Sequence, residues 1–304
     1  MYVCSLPSFR CLRNVCYSVS ALLVALLVVG VLLDDVSIWK LFSALGEELV
    51  YVGLTLALAY VLDPELGVVA LSSILLSGSL NVFLKYFFNI PRPPPELWRT
   101  HASGPGFPSG HAQVASTFWS LLAATARPSC LIAVSSAVVA SVAYSRIGLR
   151  VHSVVDVVAG VGVGVAIALA VGAVLRYVGF ERAFLLLSLL STAISYRNTA
   201  LGYESGVSAS ILGLGAGLVV SLPALRRSVR ILKDSALKER ATMLAAVYAV
   251  AYTAVIQSND LPLGGRLLTY FALGILLAST PVVWRKLGSS ARTYLTSIRR
   301  IVLR

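Results

Sequence analysis

Apolar residues in this chain neither alternate nor keep to one face of a helix; they fill whole stretches and leave the polar residues in between. Ten such runs, near the roughly 17 to 25 residues that carry a helix across a bilayer, centre on residues 17–33, 47–62, 67–88, 112–126, 129–147, 153–175, 183–200, 206–222, 241–257 and 263–284. Segments apolar all round belong in lipid or a large core, so the pattern predicts an all-α, polytopic membrane helix bundle. The first run follows Arg10 and Arg13 as a signal peptide would. It is longer than a signal core, however, and Asp34-Asp35 follows it without a small-residue cleavage site, so it reads as a span.

Composition agrees. Of 304 residues, 58% are hydrophobic and 12% charged, far from the balance of a soluble domain. The net charge of +12 lies in clusters between the runs rather than in a stripe, which excludes a nucleic-acid surface and leaves orientation and anionic lipid as its use. With the N-terminus inside and ten crossings, 17 of the 25 basic residues fall on the inner side, among them Arg10, Arg127, the group from Arg226 to Arg240, and Arg304. Both termini are therefore expected in the cytoplasm. The stretch 226–240 reads as a solvated basic loop, with an amphipathic surface helix as a compatible variant. Cys4, Cys11, Cys16 and Cys130 show no metal-binding spacing and read as reduced bystanders.

Three short pieces carry polar residues that topology does not explain: Lys85 with Arg92-Pro93, Pro108-Ser109-Gly110-His111, and Ser145-Arg146 with His152 and Asp156. Together they suit the binding and attack of a phosphate. Pro108 to His111 reads as a turn opening a helix, whose free N–H groups attract anions, and Gly110 lets the backbone approach. Lys85, Arg92 and Arg146 match phosphate oxygens and the charge of a transferring phosphoryl group. His152 and Asp156, four apart, share a helical face, so the carboxylate can orient the imidazole and leave its other nitrogen as nucleophile. His111 is then free to protonate the leaving oxygen. In the ten-crossing topology all three pieces reach the outer side.

The pieces resemble the signature of the type 2 phosphatidic acid phosphatase superfamily, which includes vanadium haloperoxidases and bacterial acid phosphatases: Lys-x6-Arg-Pro, Pro-Ser-Gly-His and Ser-Arg-x5-His-x3-Asp, every fixed position filled here. The resemblance implies a phosphatase that needs no metal or other cofactor and works through a phospho-histidine. His152 would be the nucleophile, Asp156 its partner and His111 the acid, with Lys85, Arg92, Ser109, Gly110 and Arg146 holding the phosphate. It implies a six-helix phosphatase core over 17–178, leaving about four extra C-terminal helices in 183–304 without a role. The expected substrate is a lipid phosphate or diphosphate in the bilayer. A soluble phosphate ester, a haloperoxidase, and a lipid transporter or scaffold are the alternatives.

Other features read more plainly. His101 is expected to be a solvated loop residue, Glu47-Glu48 and Asp34-Asp35 solvated span ends, and Trp98, Arg99 and Arg150 either headgroup contacts or loop anchors. The glycine triplets 160/162/164 and 213/215/217 are expected to pack helices closely rather than bind a nucleotide.

Overall fold

The computed structural model describes residues 7–126 and 129–302. Cys4, Arg127 and Arg304 lie outside the described residues, as do the side chains of Arg10, Cys11, Arg292, Arg299 and Arg300. Among the described residues the fold is all-α, with eleven α-helices: α1 (Pro7–Leu33), α2 (Val36–Ala44), α3 (Glu48–Ala57, extended by a π-turn Leu58–Leu62), α4 (Pro64–Phe88), α5 (Gly110–Ala126), α6 (Ser129–Gly148), α7 (Val154–Ala200), α8 (Ser205–Val220), α9 (Leu222–Asp234), α10 (Leu237–Ser258) and α11 (Leu263–Val302). Among the described residues six helices are long and apolar enough to cross a membrane singly, and two bent pairs, α2 with α3 and α8 with α9, pass the same test together, with the 47-residue α7 counted once. The chain is an integral membrane protein.

Local chemistry sets the ends of these helices. Asp63 caps α4 by accepting from the N–H groups of Glu65 and Leu66, Pro64 takes the first helical position, and Asn89 closes the helix in the left-handed conformation. Helix α7 opens with a reciprocal cap between Ser153 and Asp156. Its 47 residues would extend about 70 Å, more than twice a bilayer core, but Gly179, at φ 77 and ψ 174, breaks it. Before the break α7 runs alongside α5, with Gly160 against Ser109 and Gly164 against Gln113 and Thr117. After it the chain runs alongside α4, with Ser188 bonded to Ser72 and Asn198 to Ser79. Since α4 and α5 point in opposite directions, the chain reverses at Gly179.

Helix α4 is the shared wall of two apolar cores. Val69, Ala70 and Ile74 pack with α5, α6 and the first arm of α7, whereas Leu71 and Leu75 pack with Phe184 and with α8, α10 and α11. The glycines of α8 work as the sequence predicts: a Cβ on Gly213 or Gly217 would strike the α11 backbone at Leu267 or Phe271. Gly160 and Gly164 do the same for α7 on α5, whereas Gly162 meets nothing.

The stretch 34–48, between the first two apolar runs, holds α2, whose Trp39 is buried between Gly30 of α1 and Gly148 of α6. Of the two readings of the basic stretch 226–240, the amphipathic helix is the one found, as far as Asp234. In α9, Leu225, Val229 and Leu232 are buried while Arg226, Arg227, Arg230 and Lys233 face outward, and Lys233 pairs with Glu65 at the start of α4. An amphipathic period forms a helix wherever an apolar surface is there to cover. The pairing with Glu65 fixes α9 at the end of the bundle opposite the C-terminus of α4.

Candidate active site

At that C-terminal end of α4, four helix termini meet. Helices α4 and α6 end there and α5 and α7 begin there, which brings the three polar pieces onto one cavity of about 240 Å³. Lys85, Arg92, Gly110, His111, Arg146 and His152 line it. Ser109 and Asp156 do not: Ser109 is fully buried with its hydroxyl unpartnered, and Asp156, 2% exposed, stands behind His152.

The opening of α5 is held rigidly. Ser109 N–H donates to the Asp156 carbonyl at 2.9 Å, tying α5 to α7. Asn81 of α4 donates through Nδ2 to the Pro108 carbonyl at 3.2 Å and to Gln113 Oε1 at 2.9 Å, and Gln113 Nε2 donates to the Ser77 carbonyl at 2.8 Å. A Cβ on Gly110 would sit 2.9 Å from Asn81 Oδ1, so only glycine fits that approach.

His152 is 3% exposed. Its Nε2 lies 2.8 Å from Arg92 Nη1. A guanidinium only donates, so Nε2 accepts, which puts the proton of the neutral ring on Nδ1. Nδ1 faces Asp156 Oδ2 at 3.4 Å, and that same oxygen accepts from the Ser153 N–H at 2.8 Å. The carboxylate that completes the reciprocal cap of α7 therefore also faces the imidazole. Burial, reinforced by Arg92, Arg146 and Lys85 and opposed by Asp156, presses the His152 pKa down to about 3. Above that pH the ring is neutral, with its Nε2 lone pair toward the cavity.

Three cations surround this nitrogen. Arg92 is held by the Ser103, Gly104 and Val151 carbonyls, and burial lowers its pKa against the opposing charges of Glu204 and Asp156. Arg146, 6% exposed, donates to Ser43 of α2, while its Nε has no partner. The ammonium of Lys85, a residue 7% exposed, has no hydrogen-bond partner among the described residues. Buried donors without acceptors are costly, and here they converge on one cavity beside the first N–H groups of α5, a fit for a tetrahedral oxyanion.

The loop from Asn89 to Ser109 is fixed from outside. Arg99 forks onto Asp34 with two 2.6 Å bonds, and Trp98 Nε1 donates to the Pro93 carbonyl, so both are loop anchors. Arg99 and Trp39 hold the Asp34 carboxyl at about 2, and Asp34 in turn raises the Arg99 pKa. Arg150 stands 3.9 Å from Asp34.

The acidic pair 47–48 is not a plain span end. Glu47 lies in the kink between α2 and α3, with Oε1 3.3 Å from His111 Nε2, and Glu48 lines the cavity. His101, exposed in its loop as expected, lines it too, and so does Glu204, from the junction of α7 and α8. Adjacency in sequence hid Glu47 and Glu48, and His101 fills no position of the signature. Glu204 carried no signal, because it lies more than 45 residues beyond the last motif.

Among the described residues no three His, Cys, Asp or Glu form a metal-binding group. Helices apolar enough to span and a cationic pocket at one end of the bundle describe a membrane protein with a site suited to an anion. Residues 66–180 match the PAP2 superfamily, from the start of α4 to the break at Gly179, and over that stretch the chain belongs to it. No curated protein and no solved structure matches the chain.

Proposed function

We propose that the protein is a metal-independent membrane phosphatase that hydrolyses a lipid phosphate or diphosphate through a phospho-histidine on His152. The observation that carries this is the neutral His152 ring, its Nε2 lone pair aimed into a cavity ringed by Lys85, Arg92 and Arg146.

Nε2 attacks phosphorus as the bond to the alcohol oxygen breaks, and His111 gives that oxygen its proton. Asp156 stabilises the positive charge that the ring acquires on forming the N–P bond. Lys85, Arg146 and the N-terminus of α5 take the equatorial oxygens, while Arg92 turns from Nε2 to the incoming phosphoryl group. In the second half, His111 accepts a proton from water as its oxygen attacks phosphorus. The N–P bond breaks, inorganic phosphate leaves, and neutral His152 is regenerated. Glu47 keeps His111 aligned for both transfers.

A lipid substrate is supported by the rim. Phe87, Phe88 and Ile90 follow Lys85 directly and are exposed, an apolar edge along which a tail can stay in the bilayer while the headgroup enters. Orientation follows from charge: basic α9 lies at the opposite end, which favours a cytoplasmic α9 and an outward-facing cavity. The core within 17–178 supplies the chemistry and 183–304 covers its flank along α4. The test is phosphate release in EDTA from a lipid monophosphate by purified wild type and His152→Ala. Release that survives EDTA and is lost in the variant is expected; release that needs metal or survives in the variant refutes the mechanism.

A further inference from the structure

The cavity holds more negative charge than a phosphate site needs. Lys85, Arg92 and Arg146 face four carboxylates, of which Asp156 serves His152 and Glu47 serves His111. Glu48 and Glu204 are left, both on the cavity wall and neither with a hydrogen-bond or ion-pair partner among the described residues. Both face Lys85, which is itself 93% buried, has no hydrogen-bond partner for its ammonium and points into the same space.

Glu204 is set there firmly. It sits at φ 38 and ψ 58, a left-handed conformation that side chains other than glycine and asparagine rarely adopt. On one side Tyr203 stacks on Tyr86 of α4, with centroids 4.6 Å apart and planes within 6°. Seven residues before Glu204, Arg197 lies over the Phe83 ring at 4.8 Å. On the other side the Glu204 backbone carbonyl opens α8 by accepting from Ser208. A side chain so held stays beside the phosphate position whether or not substrate is bound. It repels a second phosphate, and it accepts hydrogen bonds from a hydroxyl or ammonium group.

Resting on the phosphatase reading above, we propose that Glu204, brought in by the helices beyond Gly179, forms with Glu48 a specificity subsite that reads a hydroxyl or ammonium group on the leaving alcohol and turns away diphosphates. The substrate is then a lipid phosphomonoester carrying such a donor beside the phosphate. The C-terminal helices thereby gain a function: they complete the pocket.

The experiment uses the full chain in detergent micelles with three esters of matched tail length: a hydroxyl- or amine-bearing monophosphate, a plain alkyl monophosphate, and a polyprenyl diphosphate. Wild type is compared with Glu204→Gln, Glu48→Gln and the charge-retaining Glu204→Asp. In wild type, kcat/KM ranks donor-bearing over plain over diphosphate. In Glu204→Gln, the donor-to-plain ratio falls and the diphosphate-to-monophosphate ratio rises, each about tenfold, the size of a discriminating polar or like-charge contact. Glu204→Asp keeps the wild-type order, which separates charge from packing. Ratios that stay flat in both glutamine variants overturn the subsite alone, provided His152→Ala is inactive on all three esters. Release that persists in His152→Ala overturns the phosphatase mechanism and the subsite with it.

Discussion

Asp156→Asn separates the two jobs of one carboxylate. Ser153 is the N-cap of α7 and Asp156 its partner in the third helical position; an asparagine there still has an oxygen to accept from the Ser153 N–H, the bond of 2.8 Å seen here. What is lost is the negative charge 3.4 Å from His152 Nδ1, and it is lost when the ring carries a full positive charge in the phospho-enzyme. Two unit charges at that separation interact by on the order of 5 kcal/mol at an effective dielectric constant of about 20. Allowing for the relaxation that a buried site retains, we expect about 3 kcal/mol in the barrier, a fall in kcat of roughly 10² to 10³. Single-turnover phosphate release measures kcat, and thermal unfolding in the same detergent measures the cap. Asp156→Ala, which also loses the reciprocal bond from the Ser153 N–H while Ser153 still caps the helix, should match the loss in kcat and be less stable by a further ~1 kcal/mol. A kcat for Asp156→Asn within threefold of wild type would refute the charge argument. So would a loss of stability equal to that of Asp156→Ala.

The remaining predictions use other parts of the molecule. Because the His152 pKa is pressed down to about 3, lowering the pH through 6.5 should not protonate the nucleophile; an acid limb of kcat/KM with its midpoint near 6.5 that His111→Asn leaves in place would contradict this. Gly160→Ala puts a Cβ 2.5 Å from the Ser109 carbonyl, whereas at Gly162 it meets nothing within 4 Å. The first should cost about 1–3 kcal/mol of stability and the second nothing or a slight gain, read as paired shifts in Tm. Asn81→Ala removes the bonds to Pro108 and Gln113 and should lower kcat about tenfold with little change in KM, since it loosens the α5 terminus without touching substrate; an effect confined to KM would argue against positioning.

The residues that meet at the cavity were legible in the sequence because each of the three pieces keeps its polar residues at fixed local spacings within one loop or helix end. Gly110 opens a helix as expected, whereas His152 stands just ahead of the Ser153 cap rather than on the helix, and Asp156 faces it from the first turn of α7. Spans were legible because a bilayer demands unbroken apolar runs. The reversal at Gly179 was hidden in a continuous apolar stretch, where a single glycine at positive φ separates two arms. Asn81 looked like one polar residue inside a span; its role comes from reaching Pro108 across the bundle. Glu48 and Glu204 depend wholly on tertiary placement, since α3 and α8 reach the cavity through packing on α4 that no local pattern encodes.

Trapping the intermediate tests the mechanism most directly. Wild-type enzyme turning over a lipid monophosphate is quenched in alkali within milliseconds, digested, and mapped by mass spectrometry for a phosphoryl group that survives base and is lost in acid, as a phospho-histidine should be. The label should sit on the peptide containing His152, accumulate in His111→Asn where the second half-reaction lacks its base, and be absent from His152→Ala. Phosphate release at full rate with no label on His152, or with the label on His111 instead, would contradict the assignment of His152 as nucleophile.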